Sequence, residues 1–91
     1  FIVNATNYQH IEVRMKVGKS GAGQFFFTTQ EVTGYIEEAS VRFDLQTSDD
    51  YVIYTVNMSQ SPAWKGLIGN LRFDPIDAET NIEIDYIRLV P

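Results

Sequence analysis

Cysteine is absent from this chain, which excludes a disulfide scaffold, thiol catalysis and a cysteine-based zinc site. Histidine occurs once, at His10, with no serine or cysteine partner at a recognised spacing, so a nucleophilic triad has no parts to draw on. Positive charge is sparse. Seven Lys and Arg stand singly against twelve Asp and Glu, for a net charge of −5. Nucleic acid needs a clustered basic patch, and this field is the wrong sign for it. No run reaches the roughly 18 apolar residues of a membrane span. The glycine-rich stretch 18–23 lacks the Lys-Ser/Thr ending of a phosphate cradle and reads as a turn that joins two predicted strands. The chain opens on Phe1 without an initiator Met, a basic segment or a cleavage site, so it is expected to be a mature product, a fragment or an excised piece.

What is present is apolar and aromatic: 44% hydrophobic residues, with six Phe, five Tyr and one Trp, enough to fold and too rich for disorder. Ninety-one residues make one domain, 1–91, with a thin stability margin. Alternation of period two dominates. In His10–Val17, Ile11, Val13, Met15 and Val17 form one face and His10, Glu12, Arg14 and Lys16 the other. The spacing predicts further strands over 24–29, 41–45, 51–57, 67–74 and 82–89, with a short irregular strand near Tyr35-Ile36. Phe25, Phe26 and Phe27 stand in a row, so at least one faces away from the core. Gly69-Asn70 inside a strand predicts a bulge, and Pro62 forbids continuation of the strand before it. Six or seven short strands at this spacing read as an all-β protein, an antiparallel β-sandwich.

The last third carries the strongest pattern: Trp64-Lys65-Gly66, then Leu71-Arg72-Phe73-Asp74-Pro75, then Ile84-Asp85-Tyr86-Ile87-Arg88-Leu89. It resembles the closing strands of jelly-roll carbohydrate-binding modules, galactose-binding-domain-like β-sandwiches of secreted glycoside-active and cell-surface proteins. The resemblance covers about Ala5 to Leu89. It implies a jelly-roll-like sandwich whose first strands have no counterpart here, either because they lie on another segment or because the sandwich is reduced. An open edge would then need cover. It also implies a non-catalytic polysaccharide- or oligosaccharide-binding module that targets a neighbouring domain of an exported, extracellular or cell-surface protein, with structural calcium common among related modules. Net charge favours a neutral glycan over an acidic one. The alternative is a structural or assembly domain that packs on a neighbour and binds no glycan.

Sugar sites need flat apolar rings for the C–H face of a pyranose and planar polar groups for its hydroxyls. Alternation puts Arg14, Phe26, Thr28, Arg42 and Tyr54 outward, and these are the candidate glycan contacts; the competing reading lays Phe26 under the 30–38 connection. Trp64 is either a stacking platform or, as its place in the recurring W-x-G step favours, a plug with its indole N–H on a backbone carbonyl. Arg72 and Asp85 would meet if the last two strands pair. Asp74-Pro75 reads as a strand-ending turn whose carboxylate accepts backbone N–H groups. Against that stands calcium, for which Asp74, Asp77, Glu79 and Asn81, with Asp85, supply oxygens. Glu37-Glu38 and Asp49-Asp50 are adjacent carboxylates in predicted loops, the pattern of solvated charge, and an enzyme is not expected. Asn4-Ala5-Thr6 and Asn57-Met58-Ser59 fit the N-glycosylation sequon.

Overall fold

The computed structural model describes residues 2–91. Its strands are β1 (Val3–Asn4), β2 (His10–Val17), β3 (Gly21–Thr29), β4 (Ser40–Leu45), β5 (Val52–Asn57), β6 (Leu67–Asp74) and β7 (Ile82–Val90), with single 3-10 turns at Glu37–Ala39 and Met58–Gln60. They form two antiparallel sheets, one in the order β1-β6-β3-β4 and the other β5-β2-β7. The expected antiparallel β-sandwich is what the chain builds.

Strict alternation makes β2 the central strand of the smaller sheet, with Ile11, Val13, Met15 and Val17 buried and the four polar residues outside. In β3 the phenylalanine run divides as predicted. Phe25 and Phe27 enter the core, where Phe25 stacks on Phe73 at 4.3 Å between centroids, and Phe26 lies on the opposite face. Fully burying one such ring contributes about 1.5–3 kcal/mol.

The W-x-G step is scaffold. Trp64 is 7% exposed, meets Phe27 edge-to-face at 4.9 Å, and donates its indole N–H to the Tyr8 carbonyl at 3.0 Å. Gly66 takes φ of +68°, a left-handed conformation that side chains disfavour, and its carbonyl accepts the Ala5 N–H at 2.9 Å.

Two irregularities bend the strands. Opposite Phe27 to Thr29, β6 runs from Leu71 to Ile68 and so carries one extra residue at Gly69-Asn70, where the bulge was expected. Thr28 Oγ1 accepts both the backbone N–H and the side-chain amide of Asn70 there. The second bulge has no signal in the sequence. Arg14 pairs with Tyr86 and Met15 with Ile84, leaving Asp85 as the inserted residue of β7.

Several expectations are corrected. Tyr35-Ile36 is not a strand; the connection around it lies over the outer face of the larger sheet. Gly21–Gly23 belongs to β3 and not to a turn. Tyr54 points inward, because it pairs with Val13 and residues directly across a ladder share a face. Its hydroxyl is held by the Gln46 backbone. Finally, β6 and β7 lie in different sheets, so Arg72 and Asp85 do not meet.

Candidate functional site

The six residues expected to bind glycan do not share a surface. Phe26, Thr28 and Arg42 belong to the outer face of the larger sheet, Arg14 to that of the smaller one, and Tyr54 and Trp64 to the core. On the larger sheet Phe26 is only 7% exposed. The Arg72 guanidinium lies 4.2 Å from its centroid, and Tyr35 meets it edge-on at 6.5 Å. The competing reading, in which the connection after β3 covers Phe26, is the one the structure adopts. Gln24, which sequence reasoning missed, is buried beside it and donates to Glu37 and to Ser40. Among the described residues every buried side-chain polar atom has a partner, those of Gln24 included. Arg42 is exposed, with a guanidinium nitrogen 3.6 Å from Asp77.

Of the residues expected to supply calcium oxygens, Asp74 and Asp85 lie on strands of different sheets. Asp74 on β6 receives both of its bonds from Arg72, at 3.1 Å each, and not from backbone N–H groups. Asp85 on β7 is engaged by Arg14 at 2.6 Å. Asp77 is the loop carboxylate that accepts a backbone N–H, from Ala22 at 2.9 Å, and this bond holds its carboxyl below the usual carboxylate range. Among the described residues no three His, Asp or Glu side chains group where they could hold a metal ion.

What remains is the outer face of the β5-β2-β7 sheet. Alternation on β2 points Glu12, Arg14 and Lys16 to this side, and register adds a neighbour from each flanking strand: Thr55 and Arg88 beside Glu12, Ile53 and Tyr86 beside Arg14, Glu83 beside Lys16. Three ion pairs result: Arg14–Asp85 at 2.6 Å, Lys16–Glu83 at 2.9 Å and Arg88–Glu12 at 2.7 Å. Two tyrosines are set among them. The Tyr51 ring carries the Arg14 guanidinium 4.6 Å and the Lys16 ammonium 5.2 Å from its centroid. Tyr86 stacks under Arg88 at 5.2 Å and donates its hydroxyl to Glu12 at 2.8 Å.

No family model, curated protein or solved structure matches the chain. The case for a function therefore rests on this geometry together with the resemblance of the closing strands.

The electrostatics of the face follow from its pairs. The hydrogen bond from Lys16 to Glu83, reinforced by their charges, pushes the ammonium pKa up. The bond to Glu12 and partial burial raise that of the Tyr86 phenol, so it stays a neutral donor. Sequence reasoning identified Arg14 but missed Tyr51 and Tyr86. The perfect alternation of β2 was the available signal for which face carries charge. Only the pairing of β5 and β7 with β2 shows which rings join it. The structure also carries a shallow cleft of about 320 Å³ between Thr29–Glu31 and Lys65–Leu67, lined by no aromatic ring among the described residues.

Proposed function

We propose that this domain is a non-catalytic carbohydrate-binding module whose site is the outer face of the three-stranded sheet, and that it targets a neighbouring domain of an exported protein to a polysaccharide or oligosaccharide. The observation that carries the reading is Arg14, held between the Tyr51 ring and the Asp85 carboxylate beside Tyr86. Two half-buried rings, each with a cation on it, offer the apolar surface left exposed to pyranose C–H groups. Between them the arginine and carboxylate pairs offer planar donors and acceptors to hydroxyls, already oriented, so binding loses little side-chain freedom. The face carries as many paired cations as carboxylates, which suits a neutral glycan better than a charged one. The resemblance of the closing strands to jelly-roll modules points the same way. An extracellular or cell-surface location belongs to this proposal.

Affinity electrophoresis through neutral glucans, xylans, mannans and galactans tests it. Retardation by at least one is expected, and Tyr51→Ala and Tyr86→Ala should abolish it while leaving the fold intact. Retardation by none, or retention of binding in both variants, would sink the reading.

One observation favours the assembly alternative: Ile84 and Ile87 face the core side of β7 and yet are 43% and 44% exposed.

A further inference from the structure

β7 is an edge strand of unusual character. It is nine residues long, whereas the edge strands β4 and β5 have six residues each and β1 has two. It contains no proline, and among the described residues it is hydrogen-bonded to β2 alone. Ile84 pairs with Met15 and Ile87 with Val13, both fully buried, so the two isoleucines belong to the core face and stay half-exposed only because the sheet stops there. Natural edges of this length are blunted against pairing, and this one presents backbone groups and apolar side chains together.

The bulge decides what fits. With Asp85 inserted, Ile82, Ile84, Ile87 and Leu89 share the core face, opposite Val17, Met15, Val13 and Ile11. Glu83, Tyr86 and Arg88 lie outside, opposite Lys16, Arg14 and Glu12, and Asp85 reaches outward to Arg14. This pattern reads the same in both directions about Asp85-Tyr86. An unbulged strand would not have this symmetry with the same residues. A second β7 laid antiparallel would therefore set Ile84 against Ile87, Ile82 against Leu89 and Glu83 against Arg88, each pair twice. Every core-face residue from Ile82 to Leu89 would meet an apolar one, and opposite charges would face each other across the ladder.

We propose that the free edge of β7 pairs with β7 of a second copy of this chain in that register, joining the two three-stranded sheets into one continuous six-stranded sheet. The contact is isologous and closes at two, as a two-fold axis requires. Glu83 and Arg88 keep their partners Lys16 and Glu12 within each copy and become members of charge networks that cross the axis. The proposal does not depend on glycan binding, although it would place the two tyrosine-bearing faces on one surface.

Sedimentation equilibrium over a roughly hundredfold concentration range tests it. The natural chain should dimerise. E83R sets arginine against arginine at both of these cross-axis positions, and R88E sets glutamate against glutamate. Each variant alone should therefore dimerise at least about tenfold more weakly. An equimolar mixture of E83R and R88E places opposite charges across the axis again, and it should recover dimer while each variant alone does not. The mixture leaves the contacts inside each chain as they are in the single variants, so recovery reports the contact between chains. The half-exposed pair I84T/I87T, confirmed as folded by circular dichroism, should be monomeric. A monomeric natural chain, a mixture no more dimeric than its components, or an I84T/I87T variant that still dimerises would overturn the proposal.

Discussion

Asp77 shows how one side chain fixes a loop that has no regular structure of its own. Its carboxylate accepts the Ala22 N–H at 2.9 Å and lies 3.6 Å from Arg42, pinning the β6–β7 connection onto the start of β3. The backbone bond, with Arg42 adding to it, holds the folded pKa below its unfolded value. That contribution is present above the unfolded pKa, near about 4, and disappears as pH falls through the lower folded value. Asp77→Ala should therefore melt at lower temperature than the natural chain at neutral pH. The gap should shrink as the pH drops below about 4, which circular dichroism melts across the acid range would show. A gap that persists undiminished in acid would make Asp77 a packing residue. At this scale the sequence was partly legible: an acidic loop was evident, but the residue that accepts the backbone N–H is Asp77 and not Asp74. Nothing in the local sequence tells which carboxylate the fold carries over Ala22.

At the scale of elements, the strands that alternate cleanly or carry their own punctuation were readable. The bounds of β2 and β6, the division of the phenylalanine run and the bulge at Gly69-Asn70 follow from local pattern. Gly21–Gly23 did not, because glycine serves a different purpose there from the one its turn propensity suggests. Gly23 pairs with Phe43, and a Cβ on it would sit 2.8 Å from that ring and 3.2 Å from the Pro75 carbonyl oxygen. It is in β3 for the space it leaves. Gly23→Ala should cost about 1–3 kcal/mol in chemical denaturation, the usual penalty for overpacking a filled site. A neutral substitution would mean that Phe43 moves aside freely. Tyr54 failed for a related reason. Tyr51–Asn57 carries apolar residues on both alternating sets, so its own pattern does not choose a face; pairing with Val13 does.

At the scale of the molecule, the two sheets cover each other unevenly. Met15 and Ile84 are direct cross-strand partners on the same face, but Met15 is fully buried and Ile84 is 43% exposed. Met15→Ala should cost about 2–5 kcal/mol, and Ile84→Ala no more than about 1 kcal/mol, measured by denaturation at concentrations where the chain is monomeric. Comparable losses would show that the β7 side of the sandwich is closed in solution. Reading the candidate site is a matter of this scale too. Tyr51, Arg14 and Tyr86 are far apart along the chain and become neighbours only because β2 lies between β5 and β7.

The sequence by itself determined an antiparallel all-β fold, most strand positions and the inward set of β2, since each depends on alternation or turn chemistry. Tertiary structure alone decided which strands neighbour one another, that Tyr54 and Phe26 are covered, that Asp85 is an inserted residue, and that tyrosines gather around Arg14. The physical reason is that local propensity acts over a few residues. Face, exposure and partnership are set by strand order and register, which the whole chain chooses together.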